Sequence, residues 1–322
     1  MLIEDQHPLN KSITVSLMGN PNVGKSSLAN YLLGMELNVV TRKPQTTRNR
    51  VNCVFTVDRT EIILIDTPGM HKSGHEINKR YNDQARSSSN GADINFIMVD
   101  VSRPLFDQIE TIKKVLDKEI GKSWLILTKS DKVENFKDLP LQELFDKAKE
   151  VFPTLEKYFY VSSRTEENMN ILIGSICDEA QSGPHLYPDG RVSNKNERFF
   201  TTEYIREQVF ELLKDELPYE IAVTLDEFTD MIGKTGEEET RASATILVNR
   251  ASQRAIVVGA KGSMIKEIGI RARKKIQEVF GRSVHLNLHV KVSPKWFANN
   301  YVLEELGLPR AVDSSRVWRS RD

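Results

Sequence analysis

The eight residues Gly19-Asn20-Pro21-Asn22-Val23-Gly24-Lys25-Ser26 fit the pattern GxxxxGK[ST]. They follow a short apolar run, Ile13 to Met18, and open a helical pattern, Ser26 to Leu33. Glycines let such a loop wrap closely, so that successive backbone N–H groups point at phosphate oxygens, and the helix presents its positive end to the same charge. We predict a phosphate site at residues 19 to 27, Ser27 included, in which Lys25 reaches the β- and γ-phosphates and Ser26 contacts Mg²⁺.

The chain on either side of this loop alternates strands with helices. Strand-like runs occur at Val51–Val57, Glu61–Ile65, Ile94–Val99, Trp124–Leu127 and Tyr158–Val161, and helical patterns such as Phe106–Glu119 lie between them. The first two runs are separated by a short turn and predict a hairpin. The alternation predicts an α/β fold with a doubly wound, mostly parallel sheet, whose ligands bind at the carboxyl ends of the strands.

Three further polar segments follow predicted strands. Asp66-Thr67-Pro68-Gly69 offers a carboxylate that can hold Mg²⁺ through water and a Gly69 amide for the γ-phosphate. Thr128-Lys129-Ser130-Asp131 offers a carboxylate that can accept both N–H groups of a guanine edge, which adenine lacks, so Asp131 would select the base. The backbone of Val161-Ser162-Ser163 could contact the guanine oxygen. The three segments predict a guanine-nucleotide site.

The second half of the chain predicts a different domain. Residues 181–197 are rich in Gly and Pro and are interpreted as a linker between a nucleotide domain at 1–180 and a second domain at 198–298, with a tail at 299–322. The apolar patterns over 198–298 predict the order α-β-β-α-α-β, a compact α+β domain. The charged end of the tail is expected to be mobile.

A second motif lies inside that domain. Gly259-Ala260-Lys261-Gly262 has apolar residues before it and Ile265-Lys266 after it, which is the pattern of a KH domain. Two glycines at this spacing join two helices with little side-chain bulk, so a nucleic-acid backbone can lie against the loop. The predicted RNA-binding residues are the four residues of this loop together with Lys266, Arg271, Arg273 and Lys274.

Charge and composition support this division. The net charge is zero, but residues 241–295 carry 12 basic and 2 acidic residues, whereas 215–240 carry 9 acidic residues and one basic residue. The basic block is where a polyanion would bind. Cys53 and Cys177 are too few for a disulfide framework or a zinc quartet, and no run of 18 apolar residues predicts a membrane span. These features predict a cytoplasmic protein.

The nucleotide motifs resemble those of the translation-factor-related GTPases, and other segments narrow the resemblance to the Era family. Gln45-Thr46-Thr47-Arg48-Asn49 is similar to the first switch of that family, and Ala85-Arg86-Ser87-Ser88-Ser89 also resembles it. In the second domain, Gly269-Ile270-Arg271-Ala272-Arg273 and Val290-Lys291-Val292 before Trp296 are similar to its KH type-2 domain. The resemblance covers roughly residues 12 to 308.

The resemblance implies a GTPase that binds GTP or GDP with Mg²⁺. Ser26 and Asp66 would hold the metal, and Thr47, or Thr46, would close on it in the GTP state. The residues that assist hydrolysis would be Lys25, Thr47 and Gly69. The switches would span 41–50 and 70–82. Asn22 lies where related GTPases hold a monovalent cation, so K⁺ is a further hypothesis. The resemblance also implies binding of 16S rRNA near its 3′ end, assembly of the small ribosomal subunit, a monomeric state and peripheral association with the inner face of the cell membrane.

Two residues depart from common GTPase patterns and leave alternatives open. Thr128 stands where the family has Asn, which predicts weaker guanine binding. Met70 stands where some small GTPases position water with Gln, so no side chain is identified as a catalytic base and slow hydrolysis is expected. One alternative is therefore an RNA-binding assembly factor with weak hydrolysis. Another is an RNA-modification or membrane GTPase whose KH-like half docks proteins.

Overall fold

The computed structural model describes residues 6–41, 43, 47–70, 76–116, 120–134, 141–188, 190–214, 217–233 and 236–308. Residues 42, 44–46 and 71–75 of the predicted switches, Thr46 among them, and the tail beyond Leu308 lie outside these ranges.

The first domain is built on one twisted sheet. Its strands, in the order β2-β3-β1-β4-β5-β6, are all parallel except β2, which forms the predicted hairpin with β3, and the short β7, which pairs antiparallel with β1. The strands are β1 (Lys11–Gly19), β2 (Val51–Val57), β3 (Thr60–Asp66), β4 (Ile94–Asp100), β5 (Ser123–Thr128), β6 (Leu155–Val161) and β7 (Gln181–Ser182). The helices are α1 (Lys25–Leu33), α2 (Glu76–Ser89), α3 (Leu105–Leu116), α4 (Leu141–Val151) and α5 (Met169–Glu179).

Burial explains why these strands pair in parallel. Every residue of β4 and β5 is buried, as expected for strands that are covered by helices on both faces. One apolar cluster lies on the α1 and α5 side of the sheet and a second lies on the α3 and α4 side. Because β1 lies between β3 and β4, the strand order reverses at β1, and the crevice at its carboxyl end is where such sheets bind ligands.

The second domain has the predicted order α-β-β-α-α-β. It comprises α6 (Glu197–Leu212), β8 (Ala222–Ile232), β9 (Glu238–Val248), α7 (Ala251–Val258), α8 (Ser263–Phe280) and β10 (Ser283–Val292). Strand β9 is central, antiparallel to β8 and parallel to β10. Buried residues of α6, α7 and α8 cover one face of this sheet and form its core.

The segments on either side of the second domain are packed against other parts of the chain. Residues 183–188 and 190–196 run along β2 and β3, where the carboxylate of Glu61 accepts the backbone N–H groups of Leu186 and Tyr187. After β10, Asn299 caps the N-terminus of α9 (Asn300–Glu305), and Leu303 and Leu308 are fully buried. In the described part of the chain, no helix combines the length and apolarity needed to cross a bilayer.

Candidate functional site

The loop between β1 and α1 has the backbone of a phosphate site. Gly24 has φ 106°, which disfavours a side chain, and immediately precedes α1, so the first N–H groups of that helix open onto the loop. The amine of Lys25 is buried and donates to the carbonyl oxygens of Gly19 and Asn20 at 3.1 and 3.2 Å. Lys25 is thus held inside the loop, where a phosphate chain would lie.

A second glycine brings the start of the second switch against this loop. A Cβ on Gly69 would lie 2.7 Å from Cγ and 2.8 Å from Cα of Pro21, so a side chain here requires the loop to move. The next residue, Met70, donates its backbone N–H to the carbonyl of Gly19 at 3.2 Å. The Gly69 amide therefore lies next to the phosphate loop.

Three oxygen-bearing side chains from separate segments meet beside Lys25. The Ser26 hydroxyl lies 2.9 Å from that of Thr47 and donates to Asp66 Oδ2 at 2.7 Å. Two ligands on adjacent corners of a Mg²⁺ octahedron lie about 3.0 Å apart, because metal–oxygen distances are about 2.1 Å. The spacing of Ser26 and Thr47 therefore fits two direct ligands of Mg²⁺, with the Asp66 carboxylate beside them, and we call these three predicted residues the metal corner.

Burial sets the protonation of the groups around the metal corner. It lowers the pKa of the Lys25 amine to about 8, although the nearby Asp66 carboxylate acts in the opposite direction. It raises the pKa of Asp66 to about 6, against the opposing effects of Lys25 and of the Ser26 hydrogen bond. Both shifts have the same origin, since a low-dielectric site disfavours any isolated charge. A bound phosphate would supply negative charge that stabilises the Lys25 ammonium. Bound Mg²⁺ would supply positive charge that stabilises the Asp66 carboxylate.

The base side of the cleft lies at the ends of β5 and β6. A cavity of about 190 Å³ is lined by residues including Asp131, Ser162 and Ser163. The Ser162 hydroxyl donates to Asp131 Oδ1 at 2.7 Å, which orients the carboxylate that was predicted to select guanine. This cavity adjoins a larger cleft of about 470 Å³ that contains the phosphate loop, and Gly24, Ser27 and Lys129 line both.

Thr128 and Lys129 tie the base side to the phosphate loop. The Thr128 hydroxyl lies 2.6 Å from the carbonyl oxygen of Val23, a distance for a short hydrogen bond. Lys129 donates to Asp100 Oδ2 at 2.6 Å and to the carbonyl of Asn22. Burial favours a higher pKa for Asp100, but the hydrogen bonds from Lys129 and Ser102 and the charge of Lys129 together outweigh it and hold that pKa below its usual range. Thr128 thus contacts the loop directly, despite its shorter side chain.

Some predicted residues support the cleft without facing it, and sequence reasoning missed others that do face it. Thr67 donates to the carbonyl of Leu17 at 2.6 Å, and Ser130 donates to Glu167 at 2.6 Å. Thr41 of the predicted first switch lines the larger cleft, and the missed residues that line it are Val39, Val40, Arg103 and Lys132. Arg103 follows β4 and pairs with Asp100 at 3.4 Å. In the sequence, the only indication that Arg103 lies at the site was that this basic residue follows soon after the end of a predicted strand.

The predicted RNA loop has the backbone that its glycines suggest. Gly259, Lys261 and Gly262 have φ of 73°, 50° and 80° between the end of α7 and the start of α8. A Cβ on Gly259 would lie 2.7 Å from the backbone nitrogen of Met264, so the tight turn excludes a side chain there. Lys261 is exposed, while Ala260 and the glycines leave the loop surface nearly flat.

A groove of about 280 Å³ lies along α8 and β10. It is lined by Ile265, Lys266, Gly269, Ile270, Arg273, Leu286, Asn287 and Leu288. Lys266 and Arg273 were predicted, whereas Leu286, Asn287 and Leu288 were missed because they come from β10 and not from the motif itself. Two other predicted residues point elsewhere: Arg271 pairs with Glu267 at 2.6 Å, and Lys274 lies 3.9 Å from Glu278.

This geometry defines a P-loop GTPase joined to a KH domain. Curated GTPase Era from Thermotoga maritima is 35% identical over 299 residues, which are 92% of this chain and 97% of that protein. GTPase Era from Geobacter sp. is 36% identical over 297 residues, 91% and 96% of the two chains. The chain belongs to the GTPase Era family. The predicted resemblance, fold class, GTPase activity and use of GTP or GDP with Mg²⁺ are thereby confirmed.

Family models and solved structures agree with this assignment. The model of a 50S ribosome-binding GTPase matches residues 14–129, and that of a KH domain matches 216–297. The crystal structure of Era in complex with MgGDPNP and nucleotides 1506–1542 of 16S ribosomal RNA has a TM-score of 0.84 and 29% identity, covering 93% of this chain and 99% of that one. A variant of Aquifex aeolicus Era bound to GDP·AlF4⁻ has a TM-score of 0.82, with the same identity and coverage.

Proposed function

We propose that this chain uses GTP binding and hydrolysis to control how its KH domain holds 16S rRNA near the 3′ end, during assembly of the small ribosomal subunit. The carrying observation is the metal corner, in which Ser26 of the phosphate loop, Thr47 of the first switch and Asp66 of β3 meet within 2.9 Å contacts. A site of this kind changes when the γ-phosphate leaves. The solved Era complex with 16S rRNA supports the choice of RNA.

Each nucleotide-site residue has a proposed role. Lys25 binds the β- and γ-phosphates, Ser26 and Thr47 bind Mg²⁺ directly, and Asp66 binds it through water. The Gly69 N–H donates to the γ-phosphate as charge develops on its oxygens. Lys25, Thr47 and Gly69 are thus the residues through which this chain assists hydrolysis.

Hydrolysis without a partner is expected to be slow. Met70, directly after Gly69, is 1% exposed and packs into the core on the α3 and α4 side of the sheet. Its side chain can neither orient nor deprotonate water. Positioning and charge then supply the catalysis, and a partner that adds charge or orders the switches would accelerate it.

Guanine recognition rests on a braced carboxylate. Asp131 accepts the two N–H groups of guanine on its two carboxylate oxygens, and Ser162 also donates to Oδ1 and so fixes the carboxylate. The backbone at Ser162 and Ser163 contacts the guanine oxygen. The alternative of an RNA-binding factor with a weak nucleotide site drew its support from Thr128. The 2.6 Å contact between Thr128 and Val23 reduces that support, because the strand end is still joined to the phosphate loop.

RNA would lie along α8 and β10. Its backbone rests on the loop 259–262, Lys261 and Lys266 contact phosphates, and bases enter the groove beside Arg273 and Asn287. The isoleucines and leucines of the groove supply apolar contact to base faces. Single-stranded RNA suits this groove because its bases are free to enter a cleft.

Four further properties belong to the same proposal. The protein works as a cytoplasmic monomer that associates peripherally with the inner face of the cell membrane, and K⁺ near Asn22 supplies positive charge to the reaction. Equal rates of GTP hydrolysis in sodium and potassium would contradict a K⁺ site near Asn22. Sedimentation velocity and flotation with anionic vesicles test the other properties directly.

The deciding experiment is to load the purified protein with GDPNP or with GDP, crosslink each form to total cellular RNA, and sequence the RNA recovered with each. The expected RNA is the 3′ end of 16S rRNA, enriched with GDPNP, with crosslinks between residues 259 and 288. Arg273→Ala should weaken binding of that RNA about tenfold, because it removes a contact in the groove, and Arg271→Ala is the matched control outside the groove. Recovery of unrelated RNA, or equal effects of both substitutions, would count against the proposal.

A further inference from the structure

Two consecutive residues of the first switch point to different domains. Thr47 reaches the metal corner, with its hydroxyl 2.9 Å from that of Ser26. Arg48 turns the other way and is buried in the KH domain, where it donates to the carbonyl of Ile221 at 2.7 Å and to that of Tyr219 at 3.2 Å. A single peptide bond therefore separates Thr47, which lies in the nucleotide site, from Arg48, which is buried in the KH domain.

The KH domain surrounds this guanidinium with aromatic rings. The Arg48 Cζ atom lies 5.7 Å from the ring centre of Phe210 and 5.8 Å from that of Trp296. Rings at this distance attract a cation, and the attraction is stronger where water is excluded. We call the two rings and the two carbonyl groups the Arg48 socket. If Arg48 left the socket, its guanidinium would lose two carbonyl acceptors and two ring contacts, and the buried carbonyl groups would lose their donor. The socket therefore favours the position of the switch in which Arg48 is seated.

Trp296 also contacts the second switch. It shares a buried cluster with Tyr81 of α2 and with Leu303 and Leu308 of the C-terminal segment. Near this cluster Gln84 of α2 donates to the carbonyl of Gly307 at 3.2 Å. Trp296 therefore lies between Arg48 of the first switch and α2 of the second.

Helix α8 connects this interface to the RNA groove. Ile276 of α8 is buried in the same cluster as Leu37 and Val39, which precede the first switch. Arg273 lies one turn earlier on the helix and lines the groove. A shift of the KH domain relative to the switches would move α8 as a rigid unit and with it one wall of the groove.

We propose that Arg48 is a positioning residue through which the KH domain holds Thr47 at the metal, so that seating of Arg48 in its socket and binding of GTP with Mg²⁺ favour each other. The RNA consequence of this coupling rests on the proposed function, whereas its effect on metal and nucleotide does not.

Chain geometry explains why the two events are linked. Consecutive Cα atoms are about 3.8 Å apart, so a backbone withdrawal of Thr47 from Mg²⁺ by several ångströms would also displace the backbone of Arg48 and pull on its seated guanidinium. Loss of the γ-phosphate therefore weakens both contacts together. Linkage is reciprocal, and a KH domain that retains Arg48 must raise the affinity for GTP with Mg²⁺ by the same factor.

The test compares two substitutions at the socket with one control elsewhere at the interface. Arg48→Ala empties the socket, and Trp296→Phe alters it from the KH side without touching the first switch. The control is Tyr204→Phe, which removes a 3.0 Å hydrogen bond from Tyr204 to the carbonyl of Leu37 but leaves Thr47 and Arg48 untouched. Thermal melting shows whether Arg48→Ala folds. If it does not, Arg48→Lys replaces it, because lysine keeps the charge but cannot reproduce the planar contacts of the guanidinium.

Two quantities are measured on the full chain. The first is the Mg²⁺ concentration for half-maximal binding of fluorescent GDPNP, which should rise about tenfold in Arg48→Ala, less in Trp296→Phe, and stay within twofold in the control. The second is the ratio of affinities for a 16S 3′-end RNA between the GDPNP and GDP states, which should fall about tenfold in Arg48→Ala.

Folded socket variants with wild-type Mg²⁺ dependence and wild-type RNA ratio would overturn the inference. A wild-type protein that does not bind this RNA would instead refute the proposed function, and the Mg²⁺ measurement would still decide the role of Arg48. A control as impaired as Arg48→Ala would also overturn the inference, because loosening of the whole interface would then explain the effect.

Discussion

The contact between Gly69 and Pro21 makes a quantitative prediction for Gly69→Ala. A methyl group here would lie 2.7 Å from Cγ, 2.8 Å from Cα and 2.9 Å from N of Pro21. Ordinary contacts between carbon atoms are about 3.5–4.0 Å, so the second switch must retreat by roughly 1 Å. Two of the three atoms belong to the backbone, so a rotamer change cannot relieve the clash.

The retreat should affect hydrolysis far more than binding of GDP. It moves the Gly69 N–H away from the γ-phosphate, and a misplacement of about 1 Å costs roughly 100-fold in rate. GDP lacks that phosphate, so its affinity should change less than about threefold. Single-turnover hydrolysis and fluorescent GDP titration measure the two effects. Gly91→Ala is the matched control, because its methyl group would meet nothing within 4 Å. Hydrolysis by Gly69→Ala within threefold of wild type would refute this reasoning.

Three more predictions concern the nucleotide site. Thr128→Val removes the hydroxyl that contacts Val23 and leaves a buried carbonyl without its partner, which should weaken GTP binding about tenfold by equilibrium titration. Asp131→Asn should lower GTP affinity at least 100-fold and raise that for xanthosine triphosphate, because an amide can donate to the oxygen that xanthine carries in place of the guanine amino group; unchanged GTP affinity would contradict this role. The pKa of Asp66 is about 6, and Asp66 helps to hold Mg²⁺ only in its ionised form. Mg²⁺ affinity should therefore fall as the pH drops below 6. Asp66→Asn, measured in parallel by Mg²⁺ titration, should lack this component of the pH profile.

Local signals made much of the fold predictable. Helix α8 begins after Gly262 and ends before Gly281, so glycines that are visible in the sequence mark both of its ends. Gly259 and Gly262 join two helices, as their spacing suggested, and both have positive φ. The phosphate loop was equally clear, since its pattern, its strand and its helix are contiguous in sequence.

Contacts between distant segments could not be predicted in the same way. The Arg48 socket joins residues about 170 positions apart, which no local pattern records. The sequence showed that Thr128 departs from its family, but only the fold shows that its hydroxyl reaches Val23. The stretch after Trp296 suggested only a charged tail. Its short helix is stabilised by the Asn299 cap and by burial of Leu303 against the second switch.

The central claim is that loss of the γ-phosphate loosens the grip on RNA. The direct measurement is a single-turnover experiment in which one sample, preloaded with GTP and Mg²⁺, reports phosphate release and the departure of a fluorescent 16S 3′-end RNA together. RNA should leave at the rate of hydrolysis, and the Gly69→Ala variant should retain it about 100-fold longer. RNA that departs at one rate, regardless of whether GTP is hydrolysed, would contradict the account.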